Sequence, residues 1–307
     1  MLAIVVPYYK LTFFESALNS LANQTDKRFK VYIGDDASHE DPFVLLENYN
    51  TQFDFEYHRF QKNLGSVSLV QQWQRCISRI KDEEWLLVLG DDDVLQDNFV
   101  AAFYEKLQEI NDLKVNVIRY ATIVIDENGE EISKLHTHPK LETSVDFLMR
   151  KLKGGTRSSL SEFIFRRKEF DTVKFKDLPL AWFSDYLAVL EVSNFSLLYT
   201  INNSIVYFRH SDLNITTRRD NLKLKNAATF NYYYYLLDEK KQFFDKKQQE
   251  ILEFNLEKIF LFNKKRGVFW IQITKLYFFN FQFKKYVALL LKAFESVLKK
   301  IIIKMVI

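Results

Sequence analysis

The chain holds only one cysteine, four prolines and seven glycines in 307 residues. A lone cysteine, Cys76, excludes a disulfide framework and any cysteine-based zinc site, so a reducing compartment is expected. Glycine and proline fall far below their usual shares of about 7% and 5%. That scarcity excludes collagen-like, linker-rich and Gly-rich repeat architectures, and it makes each glycine or proline the mark of a definite turn. No run of about 18 uncharged apolar residues is present, so no membrane-spanning helix is expected. Met1 leads straight into a strand-like run, with no basic leader ahead of an apolar core. What is present suits a buried core: 48% of residues are hydrophobic and 27% charged, which excludes a disordered chain. The length sets a prior of about two domains.

The net charge of +3 is unevenly placed. Residues 270–307 carry seven lysines against one acid, Glu295, a net of +6 that leaves −3 on residues 1–269. The basic balance belongs to the tail.

The first 110 residues alternate strand-like and helix-like segments. Leu2 to Pro7 reads as a buried strand, and Phe14, Ala17, Leu18 and Leu21 follow at helical spacing. A second strand, Lys30 to Ile33, ends at Gly34-Asp35-Asp36. Asp41-Pro42 opens a helix with Pro in its first turn. Phe55 to Phe60 alternates like a strand, Ser66 to Ile80 reads as a helix, and Trp85 to Leu89 is a fourth strand ending at Gly90. This βαβαβαβ order predicts a parallel sheet covered by helices. Ligands bind such sheets at the carboxyl ends of strands, where Asp35, Asp36 and Asp91 to Asp93 fall. Beyond it, Val115 to Ile125 reads as a long strand and Asn128-Gly129 as a hairpin turn leading to Glu131-Ile132. Further strands are expected at Glu162 to Arg166 and Ser204 to Phe208, with a helix starting near Ser184. After Asp220 the pattern is helical, Lys-rich and aromatic-rich. The pattern divides the chain into an alternating strand–helix part at 1–110, a looser part at 111–219 and a helical region at 220–307.

Asp91-Asp92-Asp93 directly after an apolar strand is the strongest local signal. Adjacent carboxylates repel one another and are costly to hold unless a cation or hydrogen-bond donors neutralise them. Hard divalent cations prefer such oxygen sites and keep waters or phosphate oxygens as their other ligands. The plainer alternative is a solvated turn that caps the next helix. A second acidic pair, Asp35-Asp36, at another strand end favours the binding reading, because both would face one crevice.

Five segments in order carry a family resemblance. Val5-Val6-Pro7-Tyr8-Tyr9-Lys10, Ser20-Leu21-Ala22-Asn23-Gln24-Thr25, Gly34-Asp35-Asp36-Ala37-Ser38, Asn63-Leu64-Gly65 and Gly90-Asp91-Asp92-Asp93-Val94-Leu95 resemble the motifs of family 2 glycosyltransferases, at matching spacing. The resemblance covers about residues 1 to 100. It implies an α/β fold of GT-A type: a Rossmann-like, mostly parallel sheet flanked by helices, with residues 1–110 as its nucleotide-sugar-binding half, 111–219 as its acceptor-binding half and 220–307 as a helical C-terminal extension. It also implies an inverting, metal-dependent enzyme that moves a sugar from a nucleotide donor, most simply UDP-linked, to a hydroxyl of a glycan or polyprenyl-linked acceptor in bacterial surface polysaccharide synthesis.

Carried over residue by residue, Asp92 is the expected ligand of Mg²⁺ or Mn²⁺, with Asp93 the alternative and Asp91 near the ribose. Pro7 and Tyr9 would line the base pocket, Asp36 would accept from the nucleobase edge, and Asn63 and Gly65 would form the neighbouring turn. The sequence departs from the family pattern at Lys10, at Gly90 and at Val70-Gln71, where an Arg-Asn pair is usual. Inverting transfer needs a carboxylate that takes the acceptor hydroxyl's proton. Trp182-Phe183-Ser184-Asp185-Tyr186-Leu187 lies where the family places its base, which selects Asp185 over Glu191; the competing role for Ser184 or Asp185 is a helix cap. Arg209-His210 follows a strand, and a cation there would stabilise the leaving diphosphate. His136 and His138 lack a third ligand nearby and read as loop residues. Cys76 reads as a small core residue.

From Val287 to Ile307, Val287, Leu290, Leu291, Phe294, Leu298, Ile301, Ile302 and Met305 recur at helical spacing, with Lys292, Lys299 and Lys304 off the stripe. A basic amphipathic helix suits an anionic membrane surface; packing on the protein or a dimer contact would need the same stripe. The expected location is the cytoplasm, peripheral on the inner face of the cell membrane. No nucleic-acid motif accompanies the basic tail. The rival from another class is a non-catalytic nucleotide-sugar-binding or membrane scaffold protein. An aspartyl-nucleophile phosphatase fits less well, since Leu95 stands where Thr or Val is wanted.

Overall fold

The computed structural model describes residues 1–306 except 213, 215, 216 and 218, with side chains described as far as Glu295 in the last helix. The chain divides into two units, 1–219 and 220–307. In chain order the first holds β1 (Leu2–Tyr8), α1 (Phe14–Ala22), β2 (Phe29–Asp35), α2 (Phe43–Glu47), β3 (Phe55–Arg59), α3 (Leu69–Ile77), β4 (Trp85–Val88) and β5 (Val94–Leu95). It continues with α4 (Phe99–Asp112), β6 (Val117–Ile125), β7 (Leu141–Thr143), α5 (Ser144–Leu152), β8 (Phe163–Arg166), α6 (Arg167–Val173), α7 (Ser184–Val192) and β9 (Leu197–Arg209).

β1 is apolar throughout because both of its faces are covered. Leu2, Ile4, Val6 and Tyr8 enter one hydrophobic cluster, and Ala3 and Val5 enter the other. A period-two strand buried on both sides has no polar face to show. Each fully buried aliphatic side chain here contributes about 1.5–3 kcal/mol. β1 pairs in parallel with β2 on one side and β4 on the other, and β2 pairs in parallel with β3. The sheet order is β3-β2-β1-β4-β8-β6-β9-β5, with β7 on β9. β8 runs antiparallel between β4 and β6, so one mixed sheet continues across residue 110.

Several boundaries differ from the sequence pattern for local reasons. The helix expected over 66–80 is α3, Leu69–Ile77, because the Ser68 hydroxyl accepts the Gln71 amide at 3.1 Å and fixes the first turn there. Pro42 stands just ahead of α2 as its cap rather than inside it. The Asn128-Gly129 turn closes with the Asp126 amide on the Glu130 carbonyl at 2.9 Å, and Gly129 has φ +87°. The returning chain pairs with β6 through isolated antiparallel bridges at Ile125–Glu131 and Thr122–His136 rather than a continuous strand. β9 extends well beyond Ser204 to Phe208 because its first half pairs with β6 and β7, with a register break at Tyr120/Ala121.

The second unit is α8 (Leu222–Asp238), α9 (Lys246–Phe262), α10 (Gly267–Phe279) and α11 (Phe283–Val306). α9 starts on a capping box, with Asp245 accepting the Gln248 amide and Gln248 accepting the Asp245 amide, both at 2.9 Å. No described helix is long and apolar enough to cross a membrane. Of the tail stripe, Val287, Leu291 and Phe294 are exposed and Leu290 half-buried, while Leu289 and Ala293 face inward. The side chains of Leu298, Lys299, Ile301, Ile302, Lys304 and Met305 lie outside the described residues.

Candidate active site

The chain leaves β1 toward β2 and later returns to its other side with β4, so the sheet order reverses around β1. Helical crossovers separate at such a point and leave a crevice at the carboxyl ends of the strands. Asp91 closes it: its Oδ2 accepts the amides of Tyr9 at 2.9 Å and Lys10 at 3.1 Å. A hollow there is lined by Tyr9, Lys10, Thr12, Phe13, Asp91 and Asp92. A second hollow shares Tyr9, Lys10 and Thr12 and is walled by Ser38, His39 and Glu40. Pro7 is half-buried at the end of β1 and Tyr9 is exposed.

The three acids are held in different ways. Asp92 Oδ2 accepts from Asn214 Nδ2 at 2.9 Å. Asp93 is buried, with Oδ1 accepting the Arg209 amide at 3.0 Å and Oδ2 accepting Ser161 Oγ at 2.5 Å. Burial pushes all three carboxyls above the usual range, and the Asp92 charge adds to the effect on Asp91 and Asp93. The absence of a side chain at Gly90 makes room for the acids: a Cβ there would sit 2.8 Å from Asp92 Oδ1 and 3.1 Å from Asp93 Oδ2. An all-oxygen, negatively charged set of this kind suits a hard divalent cation. Among the described residues no three His, Cys, Asp or Glu side chains form a ready-made cage. Mg²⁺ is commonly held by one or two carboxylates with substrate phosphates supplying the rest, and Asp91 and Asp92 at the hollow fit that mode.

Arg209 lies behind the acids. Its Nε donates to the Asp92 carbonyl at 3.0 Å and its Nη1 to the carbonyls of Asp126 at 2.9 Å and Glu127 at 3.2 Å, with the guanidinium 4.6 Å from the Phe13 ring centre. It is buried and fixes the backbone of the triplet, whereas His210 is exposed.

At the end of β2, Asp35 is wholly buried and accepts Tyr57 OH at 2.6 Å, Arg59 Nη1 at 3.0 Å and the Ser38 amide at 2.8 Å. Asp36 accepts the amides of Leu64 at 2.7 Å and Gly65 at 2.8 Å, and Arg75 pairs with it. Both its oxygens therefore hold the Asn63–Gly65 turn against the strand. Gly65 has no room for a side chain, since its Cβ would lie 2.6 Å from Asp36 Oδ2. The Asn63 side chain accepts the Ser66 amide at 2.8 Å and completes the turn.

Asp185 occupies the first turn of α7. The cap position is Phe183, and the Ser184 hydroxyl donates to the Lys176 carbonyl at 2.7 Å, so neither Ser184 nor Asp185 is the side-chain cap. Burial pushes the Asp185 carboxyl up to about 7; Glu162 adds to the rise, while first-turn amides and Lys151 oppose it. The entry to α7 is strained: Leu180, Ala181 and Phe183 all have φ between +54° and +71°. Such left-handed non-glycine residues persist only where surroundings enforce them, and they cluster at functional sites.

Four contributors were not evident in the sequence: Lys151, Ser161, Glu162 and Asn214. Ser161 and Glu162 sit on one 3-10 turn just before β8, and no motif marks them. Only Glu162, as an acid opening a strand, offered a signal. His138 is buried with Nδ1 3.0 Å from Arg150 Nη2, and burial beside Arg119 and Arg150 holds its imidazole neutral down to about 2. Cys76 is buried against Gly34, as a core residue should be.

A family model described as Glycosyl transferase family 2 matches residues 3–183. Among solved structures, S. aureus TarS 1–349 in complex with UDP-GlcNAc shares the fold at TM-score 0.64 and 16% identity, covering 87% of this chain and 74% of that one. The same TarS segment in complex with UDP gives 0.60 at 16%, covering 87% and 73%. A further S. aureus TarS structure gives 0.61 at 15%, covering 84% of this chain and 43% of that one. No curated protein matches the sequence.

Proposed function

The chain belongs to glycosyl transferase family 2, and we propose that it transfers a sugar, with inversion, from a nucleoside-diphosphate donor to a hydroxyl of a surface glycan or lipid-linked acceptor. The observation that carries this reading is the gathering of Asp91, Asp92 and Asp93 at the switch point of the sheet, closed onto β1 through the Tyr9 and Lys10 amides. Because two of the TarS structures are complexes, one with UDP-GlcNAc and one with UDP, a UDP-type donor is the first to test.

Tyr9 and Pro7 would flank the base, and Ser38 to Glu40 would wall the second hollow. Asp36 would shape that pocket by holding the Asn63–Gly65 turn. Asp91 would face the ribose. Asp92 would hold Mg²⁺ or Mn²⁺, since Asp93 already has both oxygens engaged by Arg209 and Ser161. When bound, the cation neutralises charge on the departing diphosphate. Asp185 would take the acceptor hydroxyl's proton. A carboxylate with a pKa near the working pH combines a useful ionised fraction with a strong pull on that proton.

A thermal-shift screen of nucleotide sugars with and without Mn²⁺ tests the binding half of the proposal. A ligand that binds only the native state at about 100 times its Kd stabilises it by about 2.7 kcal/mol. A UDP-sugar should raise Tm in the presence of Mn²⁺; no shift with any nucleotide sugar contradicts the reading.

A further inference from the structure

The turn between α10 and α11 exposes an unusual group of rings. Phe278, Phe279, Phe281 and Phe283 are 51%, 73%, 82% and 47% exposed. Phe278, Phe281 and Phe283 form one patch: the ring centres of Phe278 and Phe283 are 5.1 Å apart and those of Phe281 and Phe283 are 6.3 Å apart, and Phe279 follows Phe278 in the chain. Burying a phenylalanine is worth about 1.5–3 kcal/mol, so four left in water around one turn, three of them in ring contact, mark an interaction surface. Phe281 has φ +54° and projects at the tip.

The rim of the patch is cationic. Lys275, Lys284 and Lys285 are exposed within four residues of these rings, and among the described residues no acid pairs with Lys275 or Lys284. Lys285 pairs with Glu253 at 2.5 Å. Lys275 instead has its ammonium 6.0 Å from the Phe279 ring centre. We propose that the α10–α11 turn docks on an anionic lipid bilayer, its phenylalanines entering the headgroup–acyl boundary while Lys275 and Lys284 meet lipid phosphates. Phenylalanines on the apolar face of interfacial segments enter that boundary, and each lysine near an anionic leaflet adds about 1 kcal/mol.

Charge decides against a second copy of the chain as the occupant. A two-fold interface would place the same patch against itself, bringing like charges together around its rim. An anionic bilayer meets both the rings and the lysines with their complements.

The test is flotation of the full chain with vesicles of phosphatidylcholine alone and of phosphatidylcholine with 30% phosphatidylglycerol. Binding should favour the anionic vesicles and weaken as salt rises. The variant Phe279→Ser/Phe281→Ser/Phe283→Ser should lose about tenfold or more in vesicle affinity, with its circular dichroism and UDP-sugar binding unchanged. Lys275→Gln/Lys284→Gln should remove most of the preference for anionic vesicles while keeping the fold. Three outcomes overturn the proposal: no binding to anionic vesicles, equal binding to both compositions, or undiminished binding by the triple Phe variant. Self-association of the wild type that is lost in that variant, without vesicle binding, would also overturn it and assign the patch to a dimer.

Discussion

The hydroxyl of Ser161 donates to Asp93 Oδ2 at 2.5 Å and accepts the Gly90 amide at 3.0 Å. One side chain from the turn before β8 thus anchors both the start and the end of the acidic segment after β4. Glu162, its neighbour on the same turn, raises the proton affinity of Asp185. The turn therefore links the proposed donor site to the proposed base through two consecutive residues.

Ser161→Ala leaves a buried carboxylate oxygen and a backbone amide without that partner. Losing such bonds costs about 1–3 kcal/mol, so the urea midpoint should fall without a change in m-value. Donor affinity should fall as well, because the segment bearing Asp92 loosens. A midpoint equal to wild type would show that Ser161 does not anchor the segment.

Asp185→Asn should lower kcat by about 10² to 10⁴, the usual worth of a positioned base, while donor Kd stays within about twofold of wild type. Its stability should move the other way. The folded pKa of about 7 lies above the unfolded value of about 3.9. Between those values the folded state binds more protons than the unfolded one, so this residue's contribution to stability is present below about pH 4 and lost as pH rises through 7. The Asn variant should match wild type in Tm near pH 4 and exceed it near pH 8.

Lys151→Gln removes the cation that opposes the rise in the Asp185 pKa. The acidic limb of the kcat profile should then move to higher pH, with the plateau rate retained. An unmoved limb would separate Lys151 from the base. Glu162→Gln should shift the limb the other way, toward lower pH.

Gly90→Ala introduces a methyl group into the 2.8 Å and 3.1 Å gaps beside Asp92 and Asp93. The carboxylates must turn away, so Mn²⁺-dependent donor affinity should fall by about tenfold or more while far-UV circular dichroism is kept. Titration calorimetry with a UDP-sugar reads this directly.

Much of the sheet was legible in the sequence because its strands are buried on both faces. Leu2 to Pro7 is an uninterrupted apolar run, and Trp85 to Leu89 is another, closed by Gly90 and the acids. The acids at 35–36 and 91–93 were legible for the same reason, since strand ends in a parallel sheet converge. What stayed hidden depended on contacts far apart in the chain. Asp36 looked like a ligand group, yet it is consumed by Leu64, Gly65 and Arg75. Arg209 looked like a diphosphate contact, yet its guanidinium serves three carbonyls behind the acids. The left-handed turn at Leu180, Ala181 and Phe183 was equally invisible, because none of the three is a glycine and tertiary packing has to enforce it.

The most direct measurement is release of nucleoside diphosphate from a UDP-sugar in the presence of Mn²⁺, by the wild-type chain, by wild type with EDTA and by Asp92→Ala. The account predicts steady release by wild type, stimulated by a hydroxyl acceptor, and near-background release in the other two. Donor binding without release under any condition would contradict it and identify the chain as a non-catalytic binding protein.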